Sequence, residues 1–233
     1  MTRARVLAEL AGHIASVSLG HPVRMAIDGR LGSGKTMLGD ELAALLSAHR
    51  PVIRTSIDGF HRPKAERYAR GRTSPEGYYY DSRDLAAVSS LLLAPLGPGG
   101  DRRYRTASFD LENDRPLDQD ASLAPPDAIL IVDGTFLQRP ELAGGFDAAI
   151  FVAAADKIAT ARGVARDADQ LGGTTAARDL YAQRYRPAFD LYVRLCTPQA
   201  RADAVVNNDD LADPALTIRP DGRLAAARDP RKV

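Results

Sequence analysis

The octapeptide Gly29-Arg30-Leu31-Gly32-Ser33-Gly34-Lys35-Thr36 fits the pattern G-x-x-x-x-G-K-[ST] without a mismatch, and no other stretch constrains the chain so tightly. The spacing has a physical reason. Glycines let successive backbone N–H groups turn inward and cradle phosphate oxygens at the positive end of the helix that follows. Lys35 is placed to reach the β- and γ-phosphates of a nucleoside triphosphate, and the Thr36 hydroxyl to ligate Mg²⁺. The flanking residues agree. Val23 to Ile27 is an apolar run that reads as a buried strand, and Met37, Leu38, Leu42, Leu45 and Leu46 carry the period of a helix stopped by Pro51. A dinucleotide fingerprint fits less well, because Gly32-Ser33-Gly34 would require Gly or Ala where Met37 stands. Four lysines (Lys35, Lys64, Lys157 and Lys232) leave 27 arginines among the 31 basic residues, so a lysine at the motif position carries weight.

The rest of the chain repeats the alternation. Val6, Leu7, Leu10, Ile14 and Val17 predict a leading helix within residues 2–19. Val52–Ile57, Ala128–Val132 and Ala148–Val152 read as strands, with Ala128–Val132 the best central one, and Ala204–Val206 as a last short strand. Helices are expected over Leu85–Leu93, Lys157–Asp169 and Thr174–Leu191, and an extended segment over Arg103–Leu111. Residues 60–84 are polar, rich in Arg and Tyr, and show no regular period. The tail from Arg219 is polar and expected to be loosely held. Short strands apolar on both faces and separated by helices predict an α/β fold, a mostly parallel sheet covered by helices on both sides in the three-layer manner of P-loop nucleotide-binding proteins. Three strands end in Asp-Gly, at Asp28, Asp58 and Asp133. Ligands of such sheets bind at the carboxyl ends of the strands, so these aspartates are expected to gather near one crevice.

Composition sets the outer limits. A length of 233 residues suits a single domain, here a core over about 22–210 with a polar insertion over 59–84 and a tail over 219–233. The net charge of +1 gives no basic excess of the kind a nucleic-acid partner would select, so none is expected. The longest uncharged apolar run, Leu85 to Leu96, is too short to span a bilayer, and no membrane partner is expected. One cysteine, Cys196, excludes an internal disulfide and a Cys-rich zinc site, and fits a reducing cytoplasm. A guanine-reading Asn-Lys-x-Asp segment is absent. A small chain with a polar insertion after its second strand suits a kinase for a small molecule, the insertion carrying the acceptor site.

Several segments together are similar to the uridine kinase family, within the wider group that includes phosphoribulokinase and bacterial pantothenate kinase. They are Ile27-Asp28-Gly29, Ser56-Ile57-Asp58-Gly59-Phe60-His61, Pro75-Glu76-Gly77-Tyr78-Tyr79-Tyr80-Asp81, Ile131-Val132-Asp133-Gly134, Arg162 with Arg166-Asp167, Arg186-Pro187-Ala188-Phe189 and Ala202-Asp203-Ala204-Val205-Val206. The resemblance implies phosphorylation of a hydroxyl by ATP with Mg²⁺, most directly the 5′-hydroxyl of uridine or cytidine. It casts Asp58 as the group that orients or deprotonates the acceptor, and Asp133 with Thr36 as the metal-binding pair. Arg162 and Arg166, one turn apart on a lid helix over 157–173, would close over the phosphates. Asp81 would bind ribose hydroxyls with Tyr80 beside it, unless it caps the following helix as Asp84 could, and His61 and Phe109 would face substrate. Members of the group often associate, which leaves a homo-oligomer open.

The chain also departs from the family. Phe109-Asp110 and then Asp114 stand where a Tyr and a His usually hold the pyrimidine, and Leu171-Gly172-Gly173 replaces further lid arginines. The acceptor can therefore be another nucleoside, a sugar or a pantothenate-like alcohol. A nucleotide-binding regulatory protein without catalysis is the alternative of another class, and the presence of Lys35, Thr36, Asp58 and Asp133 together argues against it.

Overall fold

The computed structural model describes residues 2–142 and 144–226. Its centre is a six-stranded sheet of β1 (Val23–Gly29), β2 (Val52–Ser56), β3 (Ile129–Gly134), β4 (Ala148–Ala153), β5 (Ala204–Asn207) and β6 (Ala215–Ile218), in the order β6-β5-β4-β1-β3-β2. All neighbours run parallel except the antiparallel β5–β6 pair. β1 and β3 are buried along their whole length, as continuous apolar runs with both faces covered must be.

Side-chain alternation divides β1 between two cores. Val23, Met25 and Ile27 face the cluster built on α1 (Arg3–Ala15) and α2 (Lys35–Leu46), with Leu10, Ile14, Leu38 and Leu42. Ala26 faces the opposite cluster, where Leu92, Leu93 and Phe60 meet Leu130 and Val132. Beyond the sheet lie α3 (Asp156–Leu171), α4 (Thr174–Leu180) and α5 (Arg186–Cys196), with a π-helical turn over Tyr181–Tyr185 joining the last two. Among the described residues no helix is long and apolar enough to cross a membrane.

Most expected elements form within a few residues of their expected ends. Three regions differ. Ala204–Asn207 is not the last strand, because β6 pairs on its outer edge; the exposed positions Ala215 and Thr217 gave β6 no apolar signature. The tail is held as far as the short helix Arg223–Ala226: Leu224 is fully buried against α1, and its carbonyl lies 3.0 Å from Nδ1 of the buried His13. The remaining tail residues, 227–233, lie outside the described residues. Arg103–Leu111 is extended only in short pieces, Arg103–Tyr104 pairing with Ser122–Leu123 and Phe109–Asp110 with Arg115–Pro116 in two small hairpins.

The parallel register brings the strand ends together. Ile27 lies opposite Asp133, and Ser56 lies opposite Asp133 from the other side. The loops leaving β1, β2 and β3 therefore share one edge of the sheet.

Candidate active site

The loop between β1 and α2 is shaped by what surrounds it. Gly32 has φ +75°, and a Cβ there would lie 2.1 Å from the Ala159 carbonyl oxygen of α3. Gly34 has φ +93°, and a Cβ there would lie 2.4 Å from the Asn208 side-chain nitrogen. Both the left-handed backbone and the close approach exclude a side chain. Asn208 explains the second contact, since its Nδ2 donates to the Ser33 carbonyl at 2.7 Å and ties the loop to the end of β5.

Lys35 and Thr36 open α2. The Lys35 Nζ bridges its own loop to the Arg30 carbonyl at 2.7 Å. Burial pulls its pKa down to about 8, against the opposing pull of Asp133, Asp28 and Asp58. Thr36 Oγ1 donates to Asp133 Oδ2 at 2.7 Å. The other carboxylate oxygen, Oδ1, is buried, meets the Arg54 guanidinium at 2.7 Å as an ion pair, and takes no well-aligned hydrogen bond. A hydroxyl beside a carboxylate with spare lone pairs is an oxygen donor set suited to Mg²⁺, which takes one or two protein ligands and completes its shell with phosphate and water. No cluster of three or more His, Cys, Asp or Glu suited to a metal exists among the described residues.

The three strand-end aspartates share this edge in unequal ways. Asp28 lies on the sheet face turned to α5, fully buried. It accepts from Gln138 Nε2 at 3.2 Å, from the Gly29 N–H at 2.8 Å and from the Tyr192 hydroxyl, and burial pushes its pKa up. It braces the start of the loop and does not open to a crevice, so the expected gathering holds for Asp133 and Asp58 only. Asp58 sits in a 3₁₀ turn, Ile57–Phe60, whose cap is Ser56 accepting from the Asp58 N–H at 3.3 Å. Its carboxylate is 63% exposed and pairs with Arg83 Nη2 at 2.6 Å. Crowding by protein pushes its pKa up, but the charge of Arg83, then His61, outweighs this and lowers it overall.

Asp58 stands on the wall of a cavity of about 440 Å³. Leu31 brings the phosphate loop to its rim, and His61, Arg67, Arg83 and Arg184 line it. His61 lies with Nδ1 2.7 Å from the Asp58 carbonyl, which can only accept, so the proton is on Nδ1 and Nε2 is left as an acceptor. Burial, then Arg83, depresses its pKa to about 4, so the ring is neutral near pH 7.

Several residues singled out in the sequence lie elsewhere. Tyr80, Asp81 and Phe109 do not line this cavity. Tyr80 stacks edge-on against Tyr79 and under Arg139, and Asp81 pairs with Arg70 at 2.8 Å. The π-helical turn Gly77–Asp81 sends Tyr78, and Ser82 four residues on, toward the cavity instead. The helix cap is Asp84, whose Oδ1 accepts from the Ala87 N–H at 2.9 Å. Phe109 is buried beside the Ile57–Phe60 turn. Arg162 commits both terminal nitrogens to the carbonyls of Asn208 and Asp209, at 2.8 and 2.6 Å. It clamps α3 to the β5–β6 loop rather than reaching for phosphate. Arg166 is 61% exposed, is held by Asp167 at 2.7 Å, and is close enough to Lys35 and Asp58 to feel both charges. Arg67, Arg83 and Arg184 went unnoticed in the sequence. For Arg67 and Arg83 the hint was the density of Arg and Tyr in residues 60–84, a stretch that does not include Arg184.

No sequence-family profile matches the chain, and no curated protein does. Solved structures do. A protein from Bacillus stearothermophilus described as a "possible uridine kinase" superposes with a TM-score of 0.68 at 24% identity, over 87% of this chain and 97% of that one. A fructose transport system kinase from Silicibacter sp. TM1040 gives 0.66 at 23% identity, over 84% and 95%. D-glycerate 3-kinase from Cryptococcus neoformans gives 0.56 at 14%, over 92% and 97%. The fold is that of the P-loop kinases. Within that P-loop kinase fold the phosphate loop, the Thr36–Asp133 pair and the Asp58 turn all lie at the sheet edge where the strands end.

Proposed function

We propose that the chain is an ATP- and Mg²⁺-dependent kinase that phosphorylates a hydroxyl of a small molecule. The observation that carries the reading is Lys35 and the bonded Thr36–Asp133 pair at the sheet edge, with Lys35 close enough to feel the charge of Asp58 on the wall of the neighbouring cavity. In the transfer, the acceptor oxygen bonds to the γ-phosphorus as the bond to the β-bridging oxygen breaks. ADP leaves, and the hydroxyl proton passes to Asp58. Phosphoryl transfer asks the protein mainly for positioning and for cations around the moving charge. Thr36 Oγ1 and Asp133 would hold Mg²⁺, which would supply part of that charge at the phosphates. Lys35, mostly protonated near pH 7, supplies more, and Arg166 is placed to add to it. The loop amides from Gly29 to Gly34, with the Ser33 and Thr36 N–H groups, hold the phosphates. Asp58, kept ionised by Arg83, accepts from the acceptor hydroxyl and aligns it.

A uridine or cytidine acceptor follows from the sequence resemblance. The position of Asp81, Tyr80 and Phe109 outside the cavity favours the second reading, a small alcohol other than a pyrimidine nucleoside. ADP release measured with Mg-ATP against nucleosides, pentoses, glycerate and pantothenate tests both. Acceptor-dependent release is expected, and Asp58→Asn should lower kcat by about 10³-fold, within the range of a lost general base. ATP binding with no acceptor-dependent release would instead fit a regulatory nucleotide-binding protein. Full turnover by Asp58→Asn would remove Asp58 from the chemistry.

A further inference from the structure

The cavity beside Asp58 carries more positive charge than its own carboxylates neutralise, and the surplus is buried. Five cationic residues line it: Lys64, Arg67, Arg72, Arg83 and Arg184. Four carboxylates line it as well, and three of these are already engaged. Asp58 pairs with Arg83, Asp114 with Arg67 at 3.0 Å, and Asp167 with Arg166. Arg184 is 4% exposed and makes no ion pair with any described residue. Its guanidinium rests on aromatic faces, 4.8 Å from the Tyr68 ring centre and 5.0 Å from that of Tyr78, with the Tyr68 hydroxyl beside it. The Nε atoms of Arg67, Arg83 and Arg184 are all buried and all lack a hydrogen-bond partner. Three arginines with unspent donors around one cavity is a costly arrangement for a protein to keep, because a buried donor without a partner has given up its water for nothing. A planar oxyanion is the group a guanidinium fork satisfies best.

We propose that the acceptor is itself an anion, a small hydroxylated carboxylate or phosphate ester, whose oxyanion is held by Arg184 with Arg67 while its hydroxyl lies at Asp58. This rests on the kinase reading above and names the class of its substrate. A neutral nucleoside or free pentose would leave Arg184 buried without a counter-charge. An anion supplies it, and leaves its hydroxyl for Asp58, which lines the same cavity.

The test separates the two layers. Isothermal titration of the full-length protein with glycerate, pantothenate, ribose 5-phosphate, ribose and uridine reads binding without needing turnover, and Arg184→Gln reports the site. The expected result is binding of one of the anionic compounds, at least tenfold tighter than any neutral one, with that affinity falling at least tenfold in Arg184→Gln and ATP affinity changing less than twofold. Whether carboxylates or phosphate esters are preferred identifies the source of the oxyanion. Arg184→Lys, which keeps the charge and loses the fork, should fall between, and the exposed Arg72→Gln gives a second probe should Arg184→Gln fail to fold. Equal binding of neutral and anionic compounds overturns the proposal. So does a selective loss of ATP affinity in Arg184→Gln, which would assign the arginines to the nucleotide. Anion binding that depends on Arg184 without any ADP release would uphold the anion site and sink the kinase reading alone.

Discussion

The two halves of the site are built on opposite plans. The phosphate loop is a short, continuous segment in which each residue is fixed by a clash or a bond: Gly32 against Ala159, Gly34 against Asn208, Thr36 on Asp133. The cavity beside Asp58 is assembled from residues far apart in the chain, Leu31 and the segments 58–83, 111–114 and 167–185, and the Arg67–Asp114 pair ties two of those segments together. On the kinase reading proposed above, the first plan serves a ligand that does not vary, the polyphosphate, and the second can change its acceptor by exchanging one arginine or tyrosine without touching the loop. The fold permits this because the loop hangs on buried β1, whereas the cavity wall hangs on turns and short helices outside the sheet.

Changes at the loop should then cost the same with every acceptor, and changes at the cavity should depend on which acceptor is offered. Lys35→Ala is expected to lower kcat/KM by about 10²–10³-fold, the usual cost of removing one charge-stabilising donor. The loss should be equal across all acceptors that turn over. An acceptor-dependent loss would break the division. The pH profile sharpens the same point. If Lys35 works as the cation, as proposed, burial that lowers its pKa to about 8 makes kcat/KM fall as pH rises through about 8 and approach a tenfold loss per further unit. A kcat profile flat to pH 9.5 would show that Lys35 keeps its proton once nucleotide fills the loop, and a flat kcat/KM profile would remove Lys35 as the titrating cation. His61, neutral from about pH 4 upward, should add no step between pH 5 and 7. The smallest effect is expected at Asp81→Ala, which removes an ion pair with the half-exposed Arg70. Less than a twofold change in acceptor KM is expected, and a tenfold rise would return Asp81 to the substrate.

What was legible in the sequence follows the same line. The loop could be read because its function depends on local backbone geometry, which writes glycines at fixed spacing. The place of Asp133 at the sheet edge could be read because it closes an apolar strand, and that of Asp58 nearly so, since it lies in the turn two residues beyond β2. The place of Tyr80 and Asp81 outside the cavity has a local cause. The turn over Gly77–Asp81 is π-helical, and its wider pitch rotates Tyr78 and Ser82 to the face that Tyr80 and Asp81 were expected to occupy. Arg162 is expected from its spacing to close over the phosphates with Arg166 one turn on, and only the fold shows carbonyls of the β5–β6 loop holding it. Arg184 sits inside a helical stretch whose apolar period hides it, and its isolation from carboxylates is a fact of three dimensions. Strand β6, with its exposed alternate positions on an edge, gave too weak an apolar period to be seen.

One bond described above has a consequence for how the protein is made. The Ser33 carbonyl receives its partner from Asn208, 175 residues later in the chain. At the usual pace of about 5–20 residues per second, the ribosome delivers that partner roughly 9–35 s after it has finished the loop. During that interval the glycine turn exists without the tether that holds it against β5. A nascent chain arrested before residue 208 should therefore capture ATP poorly even though every residue of the phosphate motif has long been synthesised, and nucleotide capture would mark the completion of the chain rather than of its motif.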